Sequence, residues 1–239
     1  MGQRSARGTA GGWSVVVPVK PLEQAKSRLA SGLPEELRPR LALAFAQDTV
    51  SAALSAPSVR TVAVVTNDTE VAAELSLLGA RIVPDLPRSG LNGALRYAAD
   101  VLRDTSADIP LAAVNADLPA LRGEELERVL ERASRFSRAF LADQEGSGTT
   151  LLTALGGTEL NPLFGPASRR RHRRSGAVEI PLPDVPSVRQ DVDTERDLRA
   201  AQRLGLGRFT STQVRVPCGP ASGPGVRPDA GRRGRRRRP

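Results

Sequence analysis

Short runs of β-branched and other apolar residues alternate with longer segments of helical periodicity along most of this chain. Three runs, SVVVPV (14–19), TVAVVT (61–66) and IPLAAVN (109–115), predict buried strands. The segments between them, such as PEELRPRLALAFAQDTVSAAL (34–54), place apolar residues on one helical face. Strands separated by helices predict parallel pairing and therefore an open α/β sheet with helices on both faces.

Capping residues refine these boundaries. Asn67 or Asp68 is predicted to begin the helix after the second strand, and Gly79 to end it before a short strand at 80–83. Farther along, the segments RAFLA and TTLLTAL predict two more strands, and SRRRHRR predicts a short helix. Asp193 or Thr194 is predicted to cap the last amphipathic helix.

Composition divides the chain into three parts. Residues 1–12 are small and polar and are interpreted as a flexible leader, and 13–206 are predicted to form one domain. The segment 207–239 contains six glycines, five prolines and nine arginines without apolar periodicity, which predicts disorder.

The charge of the chain is concentrated in that last segment. The whole sequence has 35 basic and 26 acidic residues and a net charge of +9, whereas 207–239 alone carries nine arginines and one aspartate. The domain is therefore nearly neutral, which disfavours nucleic acid as its partner. The segment is either a weak polyanion-binding arm or a dispensable solvated extension.

Several classes of protein are excluded by residue counts. The longest apolar run, LALAFA (41–46), is too short to cross a membrane. One cysteine and one histidine cannot build an internal disulfide or a Cys/His zinc site. A reducing cytoplasmic location is expected.

Both lysines of the chain lie in one loop after the first predicted strand. Lys20 and Lys26, together with Arg28, place three cations at the carboxyl edge of the sheet, where parallel α/β sheets bind ligands. Such a loop can hold a triphosphate, because ammonium and guanidinium groups neutralise phosphate oxygens. The alternative is an ordinary solvated basic loop.

Three aspartates provide candidate magnesium ligands. Asp117 follows the strand 109–115, and Asp191 and Asp193 alternate in an extended segment. Carboxylates with phosphate oxygens and water are the usual ligands of Mg²⁺. Asp117 has an alternative role in capping the next turn, and Asp193 has one in capping a helix.

A second candidate anion site combines Thr149, Gly165 and Ser168. Thr149 follows a Gly-rich turn, and Gly165 and Ser168 lie at a predicted helix start, where N–H groups attract anions. Five arginines at 169–174 surround His172, which is interpreted as a residue of a charged surface. A solvated helix face and a nucleic-acid surface are the alternatives; the lack of interleaved aromatic residues argues against the latter.

Six segments together resemble one enzyme family. They are VVPVKPLEQAKSRLA, LNGAL, NADLPAL, GSGTTLL, FGPASRRRHRRSGAVEI and RQDVDTERDLRAA. In this order they resemble the 2-phospho-L-lactate guanylyltransferases, specifically the phosphoenolpyruvate guanylyltransferase branch. Ala116, where the family often has Gly, and SGLN before the third helix depart from the pattern.

This resemblance implies a Rossmann-like nucleotidyltransferase fold, three-layered α/β/α with a mostly parallel sheet. It implies Mg²⁺-dependent transfer of GMP from GTP to phosphoenolpyruvate, releasing pyrophosphate, in biosynthesis of the deazaflavin coenzyme F(420), with a downstream coenzyme-biosynthesis transferase as a partner. It matches Asp117, Asp191 and Asp193 to the magnesium ligands and Thr149, Gly165 and Ser168 to phosphoenolpyruvate contacts. It matches Lys20, Lys26 and Arg28 to the triphosphate loop.

The catalytic residues expected on this basis are Asp117, Lys20 and Lys26, and Asn92 is a candidate nucleotide contact. Other acceptors, namely 2-phospho-L-lactate or 3-phosphoglycerate, would use the same fold and metal site. A different class of function, a non-catalytic nucleotide- or nucleic-acid-binding protein, stays open at this stage.

Overall fold

Seven strands form a single sheet in the computed structural model, which describes residues 12–24, 37–86 and 89–215. The strands are β1 (Trp13–Pro18), β2 (Val59–Val65), β3 (Arg81–Val83), β4 (Leu111–Val114), β5 (Arg138–Ala142), β6 (Thr149–Ala154) and β7 (Val178–Glu179). Their order is β3-β2-β1-β4-β6-β5-β7. β6 runs antiparallel to β4 and β5, and the other pairings are parallel, which confirms the predicted mostly parallel sheet.

Eight α-helices and one 3-10 turn (Leu22–Gln24) connect the strands in the described residues. The helices are α1 (Leu37–Ser55), α2 (Thr69–Leu77), α3 (Gly90–Arg103), α4 (Gly123–Ala133), α5 (Ser168–Arg174), α6 (Pro186–Arg189), α7 (Glu195–Leu204) and α8 (Arg208–Arg215). Of the caps predicted from sequence, Asp68 begins α2, and Thr194 begins α7 in a capping box with Asp197. Across the described ranges, no helix combines the length and the apolar character that a membrane span requires.

The pleat of the strands explains the three layers. In β1, Val15 and Val17 pack with buried residues of α1 and α4 on one face of the sheet. Val16 points to the opposite face and packs with buried residues of α3. Each central strand is therefore apolar on both sides, as expected for a parallel sheet covered by helices on both faces. The predicted α/β/α arrangement is confirmed.

A smaller apolar cluster determines where two functional segments lie. Leu41 and Phe45 of α1 pack with Ala120, in the turn after β4, and with Val192, in the segment before α7. All four side chains are fully or almost fully buried. This cluster brings together two segments that are about 70 residues apart in sequence.

Helix α8 corrects the prediction of disorder from residue 207 onward. The buried carboxylate of Asp48 accepts hydrogen bonds from the backbone N–H groups of Phe209 (3.0 Å) and Thr210 (2.8 Å), and so caps the helix. A Cβ at Gly207 would lie 2.3 Å from this carboxylate, so glycine is required at that position. The Gly-, Pro- and Arg-rich composition of the segment gave no indication of this eight-residue helix packed on the domain. Residues 216–239, like the leader at 1–11, lie outside the described residues.

Candidate active site

The antiparallel strand β6 gathers polar residues at one edge of the sheet. Its first residue, Thr149, pairs with Ala142 at the end of β5, and Leu151 pairs with Val114 at the end of β4. The carboxyl ends of β1, β2 and β3 lie at this same edge, because these strands run parallel to β4 through β1. Residues that follow β4 and β5 and residues that begin β6 are therefore neighbours of the first loop.

Four carboxylates converge at this edge. Asp117 lies in the turn after β4, Asp143 follows β5, and Asp191 and Asp193 precede α7. The backbone N–H of Val192 donates to the carbonyl oxygen of Asp117 at 3.0 Å, which holds the two segments together. Burial, followed by the negative charges of Asp117, Asp143 and Asp193, raises the pKa of Asp191 to about 8. The edge thus carries excess negative charge that a cation would neutralise.

Asp143 is a member of this cluster that the sequence analysis missed. Its carboxylate accepts hydrogen bonds from the N–H groups of Ser147 (2.9 Å) and Gly148 (2.7 Å). A Cβ at Gly148 would lie 2.3 Å from the Asp143 carboxylate, which explains the glycine. In the sequence, Asp143 could have been recognised only as an aspartate before a Gly-rich turn. Its proximity to Asp191 depends on tertiary structure.

The four acids are hard oxygen donors and fit Mg²⁺ chemically. No three Asp, Glu, His or Cys side chains of the described ranges, however, are arranged to hold one metal ion together. Asp193 is exposed beside the cap of α7. The described side chains therefore do not assemble the expected cage of three aspartates by themselves. Asp117 and Asp191 remain the pair best placed for an ion that takes its other ligands from phosphate and water.

A cavity of about 520 Å³ lies at the same edge of the sheet, at the ends of β1, β2 and β3. Its walls include Lys20 from the loop after β1, Asn67 after β2, Asp85 after β3 and Gly90 at the start of α3. Lys20 is exposed and therefore accessible to a ligand. Lys26 and Arg28, the other predicted members of the triphosphate loop, lie outside the described residues.

The walls of the cavity are joined by side-chain hydrogen bonds to backbone. Asn67 donates from Nδ2 to the carbonyl oxygen of Asp85 (2.7 Å) and accepts from its N–H at Oδ1 (3.0 Å). Asp68 accepts the N–H of Leu22 at 2.9 Å, which ties the loop after β1 to α2. These hydrogen bonds hold the loops around the cavity in place.

Asn92, the predicted nucleotide contact, forms two hydrogen bonds to the backbone of Phe164. Its Oδ1 accepts the N–H of Phe164 at 2.8 Å, and its Nδ2 donates to the carbonyl oxygen of Phe164 at 3.1 Å. Arg171 donates from Nη2 to the same carbonyl at 2.9 Å. Asn92 thus anchors the 161–168 loop to α3, the helix that begins at the cavity.

The structure brings Thr149, Gly165 and Ser168 together, as the sequence predicted. The N–H of Ser168 donates to the carbonyl of Gly165 (3.0 Å), and the N–H of Arg169 donates to Ser147, two residues before Thr149 (3.3 Å). Gly165 has a φ of +113°, a conformation that favours glycine. Thr149 and Ser168 are both buried. The 161–168 loop, the start of α5 and the start of β6 thus lie next to one another at this edge of the sheet.

His172 is not a surface residue, and that interpretation is wrong. Its side chain is 0 % exposed, and its ring centroid lies 5.7 Å from that of Phe140 and 5.1 Å from that of Phe164. Its Nδ1 lies 2.9 Å from Oγ1 of Thr149. Burial, and then the charges of nearby arginines, lowers the pKa of His172 to about 4. The arginine-rich run forms α5, and one side of this helix, with Ser168 and His172, is buried.

Two of the surrounding arginines have a structural partner. Arg169 and Arg173 both form ion pairs with Glu179 of β7. These contacts attach α5 to the edge of the sheet. They favour a mainly structural role for this face of the helix over a nucleic-acid surface.

Comparison with known proteins identifies the family. The family model described as "Guanylyl transferase CofC like" matches residues 13–202. Two proteins named phosphoenolpyruvate guanylyltransferase are similar along nearly their whole length. The one from Streptomyces scabiei is 60% identical over 203 residues, covering 83% of this chain and 94% of that protein. The one from Streptomyces coelicolor is 58% identical over 199 residues, with the same coverage.

Among solved structures, a protein assigned as a nucleotide-diphospho-sugar transferase from Desulfovibrio desulfuricans G20 has a similar fold. The TM-score is 0.62 at 15% identity, covering 84% of this chain and 93% of that one. At this identity the likeness concerns the fold, which is the Rossmann-like nucleotidyltransferase fold. On the family model and on relatives that it matches over most of their length, the chain belongs to the CofC-like guanylyl transferase family.

Proposed function

We propose that this chain transfers GMP from GTP to phosphoenolpyruvate, giving enolpyruvoyl-2-diphospho-5'-guanosine and pyrophosphate. The observation that carries the proposal is the convergence of Asp117, Asp143, Asp191 and Asp193 at the edge of the sheet that also carries the 520 Å³ cavity. The names of the relatives support phosphoenolpyruvate as the acceptor. By the resemblance of its motifs, the product enters the assembly of coenzyme F(420).

The two substrates occupy neighbouring sites in this proposal. The nucleoside of GTP lies in the 520 Å³ cavity, with its triphosphate toward Lys20. Phosphoenolpyruvate binds at Thr149, Gly165 and Ser168, across the aspartates. The hydrogen bonds of Asn92 to Phe164 then connect the helix beside the nucleotide with the loop that binds the acceptor.

In the reaction, an oxygen of the phosphoenolpyruvate phosphate attacks the α-phosphorus of GTP. A new P–O–P bond forms, and the bond between the α-phosphorus and the bridging oxygen to the β-phosphate breaks, so that pyrophosphate leaves. The attacking phosphate is already ionised near neutral pH, so no general base is required. Lys20 neutralises charge on the departing pyrophosphate.

Asp117 and Asp191 would hold Mg²⁺ between the substrates. Bound there, the ion would supply positive charge that offsets the repulsion between the two anions. Asp143 keeps the β5–β6 turn closed through its bonds to Ser147 and Gly148, which orients Thr149 at the next position. The protein thus contributes mainly positioning and charge, the usual means of catalysis for phosphoryl and nucleotidyl transfer.

Pyrophosphate release, measured across nucleotides and phosphorylated acids, tests this assignment. We expect release with GTP and phosphoenolpyruvate in the presence of Mg²⁺, and mass spectrometry should find the guanylylated acid. Chelation of Mg²⁺ should abolish turnover. Preferential turnover of 2-phospho-L-lactate or 3-phosphoglycerate would reassign the acceptor, and GTP binding without pyrophosphate release would refute the enzymatic role.

Base selection provides a second test, because Asp85 lines the nucleotide cavity. A carboxylate accepts both the N1–H and the exocyclic N–H of guanine, whereas adenine offers no such pair of donors. Within residues 12–24, 37–86 and 89–215, Oδ1 of Asp85 has no hydrogen-bond partner, and in this proposal guanine supplies the missing donor.

We therefore expect Asp85→Asn to lower kcat/KM for GTP by about 10- to 100-fold, the effect of losing a hydrogen bond to a charged group. The same variant should turn over XTP better than the parent does, because an asparagine amide can donate to the 2-oxo group of xanthine. The backbone of Asp85 alone pairs with Asn67, so the wall of the cavity survives. The exposed Asp100→Asn is the matched control, and an unchanged ratio of GTP to XTP turnover would contradict the assignment.

A further inference from the structure

We propose that His172 is a positioning residue that makes the hydroxyl of Thr149 a hydrogen-bond donor to the acceptor substrate. The inference rests on the proposed function, in which Thr149 contacts phosphoenolpyruvate. His172 itself is fully buried and contacts no substrate. It acts through Thr149.

The tautomer of His172 follows from its two hydrogen bonds. The backbone N–H of Leu163 lies 2.9 Å from Nε2, and an N–H group can only donate. Nε2 must therefore be the unprotonated nitrogen. The neutral ring then carries its hydrogen on Nδ1, 2.9 Å from Oγ1 of Thr149. Nδ1–H is the donor in that bond, and Thr149 is the acceptor.

This assignment sets the direction of the threonine hydroxyl. Because Oγ1 receives a hydrogen from His172, the single hydrogen of the hydroxyl points to another partner. Within the described residues, Thr149 makes no second side-chain hydrogen bond. Phosphate and carboxylate groups only accept hydrogen bonds when ionised. A hydroxyl held as a donor therefore matches an anionic acceptor substrate.

The opposite tautomer would have the opposite effect. If Nδ1 were unprotonated, the hydroxyl of Thr149 would donate to the ring and present lone pairs to the anion. The Leu163 N–H prevents this by occupying Nε2 as a donor. The packing of the ring against Phe140 and Phe164 holds it in place, and Asn92 fixes Phe164 in turn.

The neutral state of the ring is maintained by its surroundings. Burial and the charges of Arg138 and Arg171 lower the pKa of His172 to about 4, so the ring carries no charge near neutral pH. A charged ring would place a hydrogen on Nε2 against the N–H of Leu163. Geometry and charge thus favour the same protonation state.

Two amide substitutions separate the two ring nitrogens. In His172→Asn the amide overlays the Nδ1 side of imidazole and retains a donor for Thr149. In His172→Gln the amide overlays the Nε2 side, so its oxygen accepts the Leu163 N–H while no donor reaches Thr149. Both variants lose one of the two hydrogen bonds, and they serve as matched controls for each other.

We expect His172→Gln to raise KM for phosphoenolpyruvate about tenfold and to leave KM for GTP within about twofold, the loss being that of one hydrogen bond to a charged group. His172→Asn should stay within about threefold of the parent for both substrates. Thr149→Val, which removes the hydroxyl at constant shape, should raise KM for phosphoenolpyruvate about 10- to 100-fold. In the Thr149→Val background, His172→Gln should raise KM for phosphoenolpyruvate by less than about a further twofold.

The inference is overturned if His172→Gln raises KM by the same factor in both backgrounds, if the two amide variants behave alike, or if KM for GTP rises equally. An unaffected Thr149→Val would also overturn it, even where a histidine variant does not fold. Failure of the proposed function is distinguishable, because the parent would then not turn over phosphoenolpyruvate at all.

Discussion

Asp117→Asn is expected to lower turnover about a thousandfold while leaving the fold intact, a loss in the range seen when electrostatic stabilisation of a transition state is removed. Asparagine preserves the shape of the side chain but removes the charge that would hold Mg²⁺ in the proposed site. The main-chain carbonyl of residue 117, which accepts from Val192, is unaffected by the substitution. Steady-state pyrophosphate release at saturating GTP and phosphoenolpyruvate measures the effect.

The stability of this variant provides an independent check. Without Mg²⁺, the charge of Asp117 contributes to the raised pKa of Asp191 and therefore opposes folding. Asp117→Asn should consequently unfold at the same or a higher denaturant concentration than the parent in metal-free buffer. Asp100→Asn, on the exposed face of α3, is the control and should retain full activity. Undiminished turnover of Asp117→Asn would remove Asp117 from the proposed site.

The second large effect concerns acid stability. The pKa of His172 is about 4 in the folded chain, against an ordinary value of 6.5. Between these values the unfolded chain binds a proton at this position and the folded chain does not, so stability falls as the pH is lowered. The contribution is fully present above pH 6.5 and is lost progressively down to about pH 4. The total amounts to about 3 kcal/mol.

His172→Gln isolates this contribution, since glutamine does not titrate. The free energy of unfolding of both chains is measured by urea denaturation without Mg²⁺. The value for the parent minus the value for the variant should be about 3 kcal/mol smaller at pH 4 than at pH 7. Comparison between the two chains is needed because burial also raises the pKa values of Asp48 and Asp191, which stabilises the folded chain as these groups become protonated. If the unfolding free energies of the two chains changed with pH in parallel, burial of His172 would not be the cause of this loss of stability in acid.

Local patterns were sufficient to predict most of the scaffold. The β-branched runs at 14–19 and 61–66 and the caps at Asp68 and Thr194 depend on residues close in sequence, and each prediction is confirmed. Asp117 was predicted as a ligand because the edge of a parallel sheet is a general location for ligands, and Thr149, Gly165 and Ser168 because a helix start attracts anions; both stay predictions.

Other features depend on contacts between distant segments. Asp143 joins the acidic cluster only because β6 runs antiparallel between β4 and β5. Helix α8 is held by a carboxylate about 160 residues earlier, so composition alone predicted disorder there. His172, within a run of arginines, carries no local sign of burial.

Chemical type and backbone preference can thus be read from single residues and their close neighbours, and they identify the fold class and the candidate ligands of an anion or cation. The protonation state of His172, the charge balance around Asp191 and the anchoring role of Asn92 arise only after packing. Each is a free-energy difference created when groups far apart in the chain are removed from water and placed within a few ångströms of one another.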